Sequence, residues 1–477
     1  MIIALYNDDK EKTNIKYDNN LFRFSMVNKK KTRLPEQLPL PHFNTKSTNQ
    51  SRNNQKNKLS YNDRKFHDWY RFVLSFPPHL VRDYLNDFNI CSNQTVLDPF
   101  CGTGTTVVEC KLNNIKSIGI EANPFPYFAS SVKTNWSINS KKFIEKSEFI
   151  ANNANKEIEK TGFSDNTIFN GNIEETKIKI LEEKVQKLLI KNSISPIPLH
   201  KTIILLNHIE KFSQEPFYEH LLLALGNALV SSISNLYFGP EVGVKKVKSD
   251  APVISPWLKE VERIATDIHS ISNYTLPESK IFLGDSRYIT KYLKSKTIDA
   301  IITSPPYPNE KDYTRTTRLE SVMLGFIKDI KELRSYKKKM LRSNTRGVYK
   351  GDDDYLWINE NETIKRIADE IENRRIELKK TSGFEKLYST VTKLYFGGMA
   401  KHFIELKRVL KPGAKLAYVV GDQASYLRVM IRTGKILAEI AQSLGYEIVR
   451  IDLFRTRKAT ATRSELREEV LVLQWNG

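Results

Sequence analysis

Two short stretches of this sequence carry residue types arranged for chemistry. The first is Thr303-Ser304-Pro305-Pro306-Tyr307, directly after the apolar run Ile298 to Ile302. Two successive prolines fix φ and remove two N–H donors, so the carbonyls around them stay free to accept. A serine hydroxyl, a fixed carbonyl and an aromatic face at one strand end suit an extruded planar base carrying an exocyclic amine. The amine donates to Ser304 Oγ and to the Pro305 carbonyl, while Tyr307 stacks on the ring. The second stretch is Asp98-Pro99-Phe100-Cys101-Gly102-Thr103-Gly104, a glycine turn after Thr95-Val96-Leu97. Glycine has no Cβ, so a cofactor can approach the backbone closely there. Glu121 ends the next apolar run, Ser117 to Ile120, where its carboxylate can accept both hydroxyls of a ribose. A dinucleotide site would use the same logic, but the third glycine of its fingerprint is absent, since Val107 stands in that place.

These residues need a sheet to hold them. Thr95 to Asp98, the glycine turn, Val107 to Leu112 and Ser117 to Glu121 read as strand, turn, helix, strand, the start of a parallel α/β sheet. Phe76 to Leu85 reads as a turn opening a helix. The rhythm resumes at Lys280 to Asp285 and Thr297 to Thr303. It continues through helix Ala400 to Leu410, strand Lys415 to Val420, helix Gly434 to Leu444, and strands Tyr446 to Phe454 and Glu468 to Gln474. Two stretches interrupt it. Residues 139–275 are helical in pattern, for instance over Glu182 to Ile190 and Leu221 to Leu236. Residues 311–393 are strongly charged, and 311–350 alone holds twelve Lys and Arg against four Asp and Glu. Residues 1–66, with Lys29-Lys30-Lys31-Thr32-Arg33, are polar and basic and read as an unstructured or loosely docked arm.

The two reactive stretches resemble those of the amino-directed DNA methyltransferases, which transfer a methyl group to the exocyclic N4 of cytosine or N6 of adenine. Asp98 to Thr105 and Gly119 to Pro124 are similar to that family's first two cofactor motifs. Ser304-Pro305-Pro306-Tyr307 is similar to its catalytic tetrapeptide, in the serine form most frequent among cytosine-N4 enzymes. The resemblance covers 67–138, 276–310 and 394–477, and implies a Rossmann-like methyltransferase sheet with a helical insert (139–275) and a basic insert (311–393). It implies S-adenosyl-L-methionine as cofactor, with Asp98, Phe100, Gly102 and Gly104 at the methionine end, Glu121 at the ribose, and Asp285 with Ser286 at the adenine side. Thr103, Thr105 and Asn123 complete that set. Ser304, Pro305, Pro306 and Tyr307 are the implied catalytic residues. The catalytic motif follows the cofactor motif here, whereas many serine-form enzymes have the reverse order, so either insert is open as the target reader.

Charge points to the partner. The 477 residues carry 75 Lys and Arg against 55 Asp and Glu, a formal charge of +20, which suits a polyanion and most simply duplex DNA. Within the basic insert, Arg315, Arg318, Lys337, Lys338, Lys339, Arg342, Asn344 and Arg346 are the candidate DNA contacts, lysines for phosphates and Arg or Asn for base edges. The Thr456 to Arg463 loop is a further candidate phosphate contact. Three cysteines without CxxC spacing argue against a disulfide framework or a structural zinc, and no metal is expected. The N-terminus does not read as a signal peptide and no apolar run suits a membrane span, so a cytoplasmic protein is expected. Cytosine-C5 chemistry needs a nucleophilic Pro-Cys pair, and none exists. A zinc deaminase and a fused nuclease fail for want of their ligand patterns. The family implies a cognate restriction enzyme, acting separately, as context. Adenine N6, or an RNA amine, are the alternative targets; a non-catalytic specificity subunit would need one of the two reactive stretches degraded.

Overall fold

The computed structural model describes residues 59–71, 75–169, 178–239, 241–244, 246–271, 276–309, 311–458 and 465–477. In chain order its strands are β1 (Thr95–Asp98), β2 (Lys116–Glu121), the short β3 (Leu236–Phe238) and β4 (Val242–Val244), β5 (Ser279–Leu283), β6 (Ile298–Thr303), β7 (Leu410–Gly421), β8 (Glu447–Lys458) and β9 (Glu465–Trp475). Seven form one sheet in the order β5-β2-β1-β6-β7-β9-β8, parallel except for β9; β3 and β4 pair apart from it. Val96, Leu97, Ala300, Ile301 and Ile302 are all buried, the continuous apolar run of strands covered on both faces. This is the doubly wound, Rossmann-like sheet that the alternation of strands and helices implies.

Helices cover both faces. α1 (Pro78–Asp87) starts on a proline, whose missing N–H would be unpaired at that position anyway. With α2 (Thr105–Leu112) it packs Leu80, Val81, Tyr84 and Cys110 against Val96, Ala300, Ile302 and Val419. α3 (Pro124–Thr134) follows β2 and shares a second core with α4 (Ser140–Lys160), α6 (Pro196–Glu210), α7 (Tyr218–Ala228) and α8 (Ile254–His269), while the single turn α5 (Glu183–Gln186) sets Val185 against a smaller cluster of Leu188, Val322, Ile327 and Leu333. On α8 the buried residues Trp257, Val261, Ile264 and Ile268 form one helical stripe. The helix expected over Glu182 to Ile190 is only the turn α5: Lys187 to Ser193 continues as successive tight turns and reaches a left-handed Asn192 (φ 61°). The helix expected over Leu221 to Leu236 starts earlier and ends in a π-turn at Leu229–Ile233, among serines that compete for backbone bonds. Phe66 stacks on Trp136 with ring centroids 3.9 Å apart and donates its N–H to Asp267 at 2.9 Å. The described end of the expected arm is therefore docked; Met1 to Lys58, with the cluster at Lys29, lie outside the described residues.

Residues 311–393 are not set apart from these cores. They begin with α9 (Tyr313–Thr316), α10 (Arg318–Met323) and α11 (Ile330–Lys339), and α10 buries Leu319 and Met323 in the helical core. α12 (Glu362–Glu377) packs Ile364, Ile367 and Ile371 with residues of α13 (Tyr388–Lys407) and α14 (Thr433–Ser443) under the second face of the sheet. α13 runs straight through 393/394, where sequence alone suggests a boundary.

Candidate active site

From β1 the chain steps outward to β2 and β5, then returns to β6 on the other side of β1. Such a reversal opens a crevice at the carboxyl ends of the two strands where it occurs. Here it leads into a cavity of about 510 Å³, the size range of a cofactor site. Side chains knit the two strand ends together. Thr303 Oγ1 donates to Asp98 Oδ1 at 2.6 Å, and Thr106 Oγ1 donates to the Ile302 carbonyl at 3.0 Å. Asp98 also accepts the Phe100 N–H at 3.1 Å. Burial pushes its carboxyl up to about 6, and its Oδ2 has no hydrogen-bond partner among the described residues.

The glycine turn needs its glycines. Gly102 and Gly104 have φ of +53° and +87°, in the left-handed region that other residues enter at a cost. A Cβ on Gly104 would meet Ser130 Cβ at 3.0 Å, whereas one on Gly102 would meet nothing within 4 Å. Glu121, at the end of β2, accepts the Gly102 and Asn123 N–H groups, each at 2.7 Å. Loss of surrounding water pushes its carboxyl up to about 7, against the pull of those two donors. Beneath the turn, the buried Lys133 Nζ donates to the Thr103 carbonyl at 2.8 Å and the Tyr70 carbonyl at 3.1 Å. Burial lowers this ammonium to about 7.

At the other end of the cavity, Ser304 Oγ donates to the Val419 carbonyl at 3.1 Å. Tyr313 Oη accepts the Tyr307 N–H at 3.2 Å and so fixes the turn after the prolines. The Tyr307 ring lies against Gly421, where a Cβ would sit 3.0 Å from it. Burial, then the nearby Glu468, hold its hydroxyl above the ordinary tyrosine range.

The cavity brings together Ser304, Pro305, Pro306 and Tyr307 with Phe100, Gly102, Thr103, Thr105, Glu121, Asn123 and Ser286. Asp98 and Gly104 lie beneath its wall. Asp285 does not reach it: its carboxylate caps the Arg287 N–H at 2.9 Å and pairs with the Arg287 guanidinium at 2.7 Å. That guanidinium is buried and also holds Asp354, since a desolvated cation needs carboxylates around it. Of the two expected adenine-side residues, Ser286 alone lines the cavity.

The candidate DNA contacts divide. Lys338, Lys339 and Arg346 are exposed, and Lys339 lines the cavity. Arg342 is buried and paired bidentately with Asp352, with both contacts at 2.8 Å; the buried Asn344 donates to the Lys311 carbonyl at 3.0 Å. Lys337 pairs with Asp312 at 2.6 Å, and Arg318 donates to Thr314 Oγ1 at 3.0 Å. Arg315 is half-buried. Lys337, Arg318, Arg342 and Asn344 are thus engaged within the fold, because their charges or amides are desolvated and must be satisfied inside it. Lys311, Gln423, Ser425, Phe454, Arg455 and Arg457 also line the cavity; of these, Lys311 falls in the basic insert and Arg457 in the loop flagged by sequence, and neither is singled out there as a candidate contact. They arrive through the sheet order β7-β9-β8 or the turn after the catalytic tetrapeptide. Of the Thr456 to Arg463 loop, 459–463 lie outside the described residues. Among the described residues no cluster of His, Cys, Asp or Glu could hold a metal, and no helix is long and apolar enough to cross a membrane.

Known proteins match this chain along most of its length. A family model described as DNA methylase matches residues 2–131, reaching back into the N-terminal stretch that the motif resemblance leaves out. The Type II methyltransferase M.BsoBI of Geobacillus stearothermophilus is 27% identical, over 84% of this chain and 82% of its own. The Type II methyltransferase M.AvaI of Nostoc sp. (strain PCC 7120 / SAG 25.82 / UTEX 2576) is 24% identical, over 83% and 82%. The Type II methyltransferase M.MjaII of Methanocaldococcus jannaschii is 42% identical over 59 residues, 12% of this chain. With the glycine turn and the Ser-Pro-Pro-Tyr turn facing one cavity across the β1–β6 crevice, the chain is similar in both sequence and site layout to the amino-directed DNA methyltransferases, whose methyl donor is S-adenosyl-L-methionine.

Proposed function

We propose that this enzyme methylates the exocyclic N4 of cytosine within a short specific site in duplex DNA. Its setting is the cytoplasm, as the modification partner of a separately acting restriction endonuclease. The observation that carries amine chemistry is the Ser304–Val419 hydrogen bond. It commits the hydroxyl proton to a backbone carbonyl and leaves the Ser304 oxygen as an acceptor for an amine. Cytosine is preferred to adenine on the serine form of the tetrapeptide. The modification role is supported by the names of the two relatives that align over most of the chain.

The residues fit the cofactor. The glycine turn leaves open space where a Cβ on Gly102 would stand, and Glu121 presents a carboxylate beside it. When bound, S-adenosyl-L-methionine supplies an electrophilic methyl group on a sulfonium sulfur. Glu121 accepts the ribose hydroxyls, with Phe100 at the methionine end, Ser286 at the adenine, and Thr103, Thr105 and Asn123 completing the wall. Asp98 and Gly104 shape the turn from beneath. Ser304 Oγ and the Pro305 carbonyl accept the two amine N–H groups of the extruded base, and Tyr307 stacks on its ring. These bonds favour a pyramidal nitrogen, whose lone pair is otherwise delocalised into the ring, and hold it in a near-attack position. Pro306 stiffens the turn. In this reading 67–138, 276–310 and 394–477 form the catalytic unit, 139–275 braces it, and 311–393 reads the target through Lys338, Lys339 and Arg346.

Mass spectrometry of nucleosides from DNA incubated with enzyme and S-adenosyl-L-methionine, beside an RNA control, tests this directly. N4-methylcytosine is the expected product. N6-methyladenine would keep the mechanism and change the base, and label confined to RNA would overturn the DNA reading.

A further inference from the structure

Three cations gather at the end of the cavity next to Tyr307. Arg455 and Arg457 come from β8, and Lys311 from the turn that follows the catalytic tetrapeptide. A single carboxylate serves both arginines. Glu468 on β9 pairs with Arg455 through two contacts, at 2.5 and 2.9 Å, and reaches Arg457 only at 3.6 Å. The remaining described contact of the Arg457 guanidinium is a long one, 3.5 Å to the Asp422 carbonyl. Lys311 is held by its backbone: its N–H donates to Asn309 Oδ1 at 3.3 Å, and its carbonyl accepts from the buried Asn344 at 3.0 Å. Its position is therefore fixed although its side chain is long. Burial, then the charge of Arg457, push its ammonium down. Two like charges lining the same end of one cavity favour an anion there.

We propose that Lys311 and Arg457 clamp a phosphodiester adjoining the extruded nucleotide, so that the base seated against Ser304 and Tyr307 is held from its backbone side as well. The clamp rests on the DNA reading above. A nucleotide whose base enters this cavity must carry its own phosphates out at the rim, and these cations stand beside the stacking tyrosine. Arg455 stays neutralised by Glu468 and keeps β8 and β9 in register at that rim.

Methylphosphonate linkages, which remove one phosphate charge, test the clamp once the methylated base is mapped. Each of the two linkages flanking that nucleotide is neutralised in turn, and duplex affinity is measured for wild type, Lys311→Gln and Arg457→Gln. At one linkage the wild type should lose about tenfold, and each variant should lose about as much on unmodified DNA while losing little further on the neutralised duplex. Each variant should also lower the salt slope of binding by about one, with S-adenosyl-L-methionine affinity unchanged. Losses that multiply independently at both linkages, or a variant that weakens cofactor rather than duplex binding, would overturn the clamp. An enzyme that methylates no DNA fails the underlying reading instead, and the nucleoside analysis shows that separately.

Discussion

Ser304 and Val419 face each other across neighbouring strands, with the serine Oγ donating to the valine carbonyl at 3.1 Å. Register puts them there: Thr303 on β6 pairs with Tyr418 on β7, so the next residue on each strand falls alongside. A hydroxyl has one proton and two lone pairs, so this bond leaves Ser304 as an acceptor. Ser304→Ala should therefore remove one hydrogen bond to the reacting amine and nothing at the cofactor end. Loss of one preorganised hydrogen bond at a reacting centre costs about 10²-fold or more in kcat. Steady-state kinetics should show that fall while calorimetry shows unchanged S-adenosyl-L-methionine binding. Lost cofactor binding would mean that the two ends of the cavity had been assigned the wrong way round.

Gly102 and Gly104 share a left-handed backbone yet predict opposite outcomes. An added Cβ meets Ser130 at 3.0 Å from Gly104 but nothing within 4 Å from Gly102, which lines the cavity. Left-handed φ alone costs about 1–2 kcal/mol in either case. Gly104→Ala should add a steric cost and lower the melting midpoint further. Gly102→Ala should bear that backbone cost alone and lose the cofactor, because its methyl stands in the open space of the cavity. The measurement is the rise in melting temperature on adding S-adenosyl-L-methionine, which reports binding by mass action. A full rise in Gly102→Ala would refute the turn's role.

How much of this was legible before the structure depends on whether a residue's job is local. Gly102, Glu121 and Ser304 act where a strand ends, and the strand pattern finds strand ends. The sheet itself was readable for the same reason: β1 and β6 are short apolar runs followed by turn residues. Asp285 was legible as a turn acid but not as the partner of Arg287, because the second carboxylate, Asp354, comes from 67 residues downstream. Arg342 and Asn344 look like surface residues in a basic run, and only tertiary contacts with Asp352 and Lys311 bury them. Arg457 reaches the cavity that Lys311 lines only through the β6-β7-β9-β8 order, which no local pattern encodes.

The lysines of α11 should separate by exposure. Lys337 pairs with Asp312 at 2.6 Å, whereas Lys338 and Lys339 are exposed. Reversing Lys338 and Lys339 to Glu should weaken duplex binding and lower its salt slope by more than one, since each phosphate contact contributes about 0.9 to that slope. Lys337→Gln should instead leave Asp312 with one partner fewer and lower the denaturation midpoint, with the slope unchanged. Filter binding across a salt series, paired with a denaturant melt, distinguishes the two. Equal slopes for the two variants would move DNA contact away from this helix.

Glu121 gives the cofactor site a pH dependence whose sign can be worked out. Its carboxyl stands at about 7 in the folded, ligand-free protein against an ordinary 4.5. The folded state therefore binds more protons than the unfolded state between those values. Its contribution to stability is fully present below about 4.5 and is lost as pH rises through 7. Ribose hydroxyls need acceptors, so binding favours the ionised form and releases a proton near pH 6.5. S-adenosyl-L-methionine affinity should rise from pH 6 to pH 8 and then level off. Asp98, raised to about 6, lies beneath the turn and contributes to the stability curve as well. Glu121→Gln isolates the effect, since Asp98 is retained in it. Titration calorimetry in buffers of different ionisation enthalpy should detect proton release in the wild type and none in Glu121→Gln, whose weaker affinity should be flat across that range. A wild-type affinity that does not change between pH 6 and 8 would remove Glu121 from the ribose.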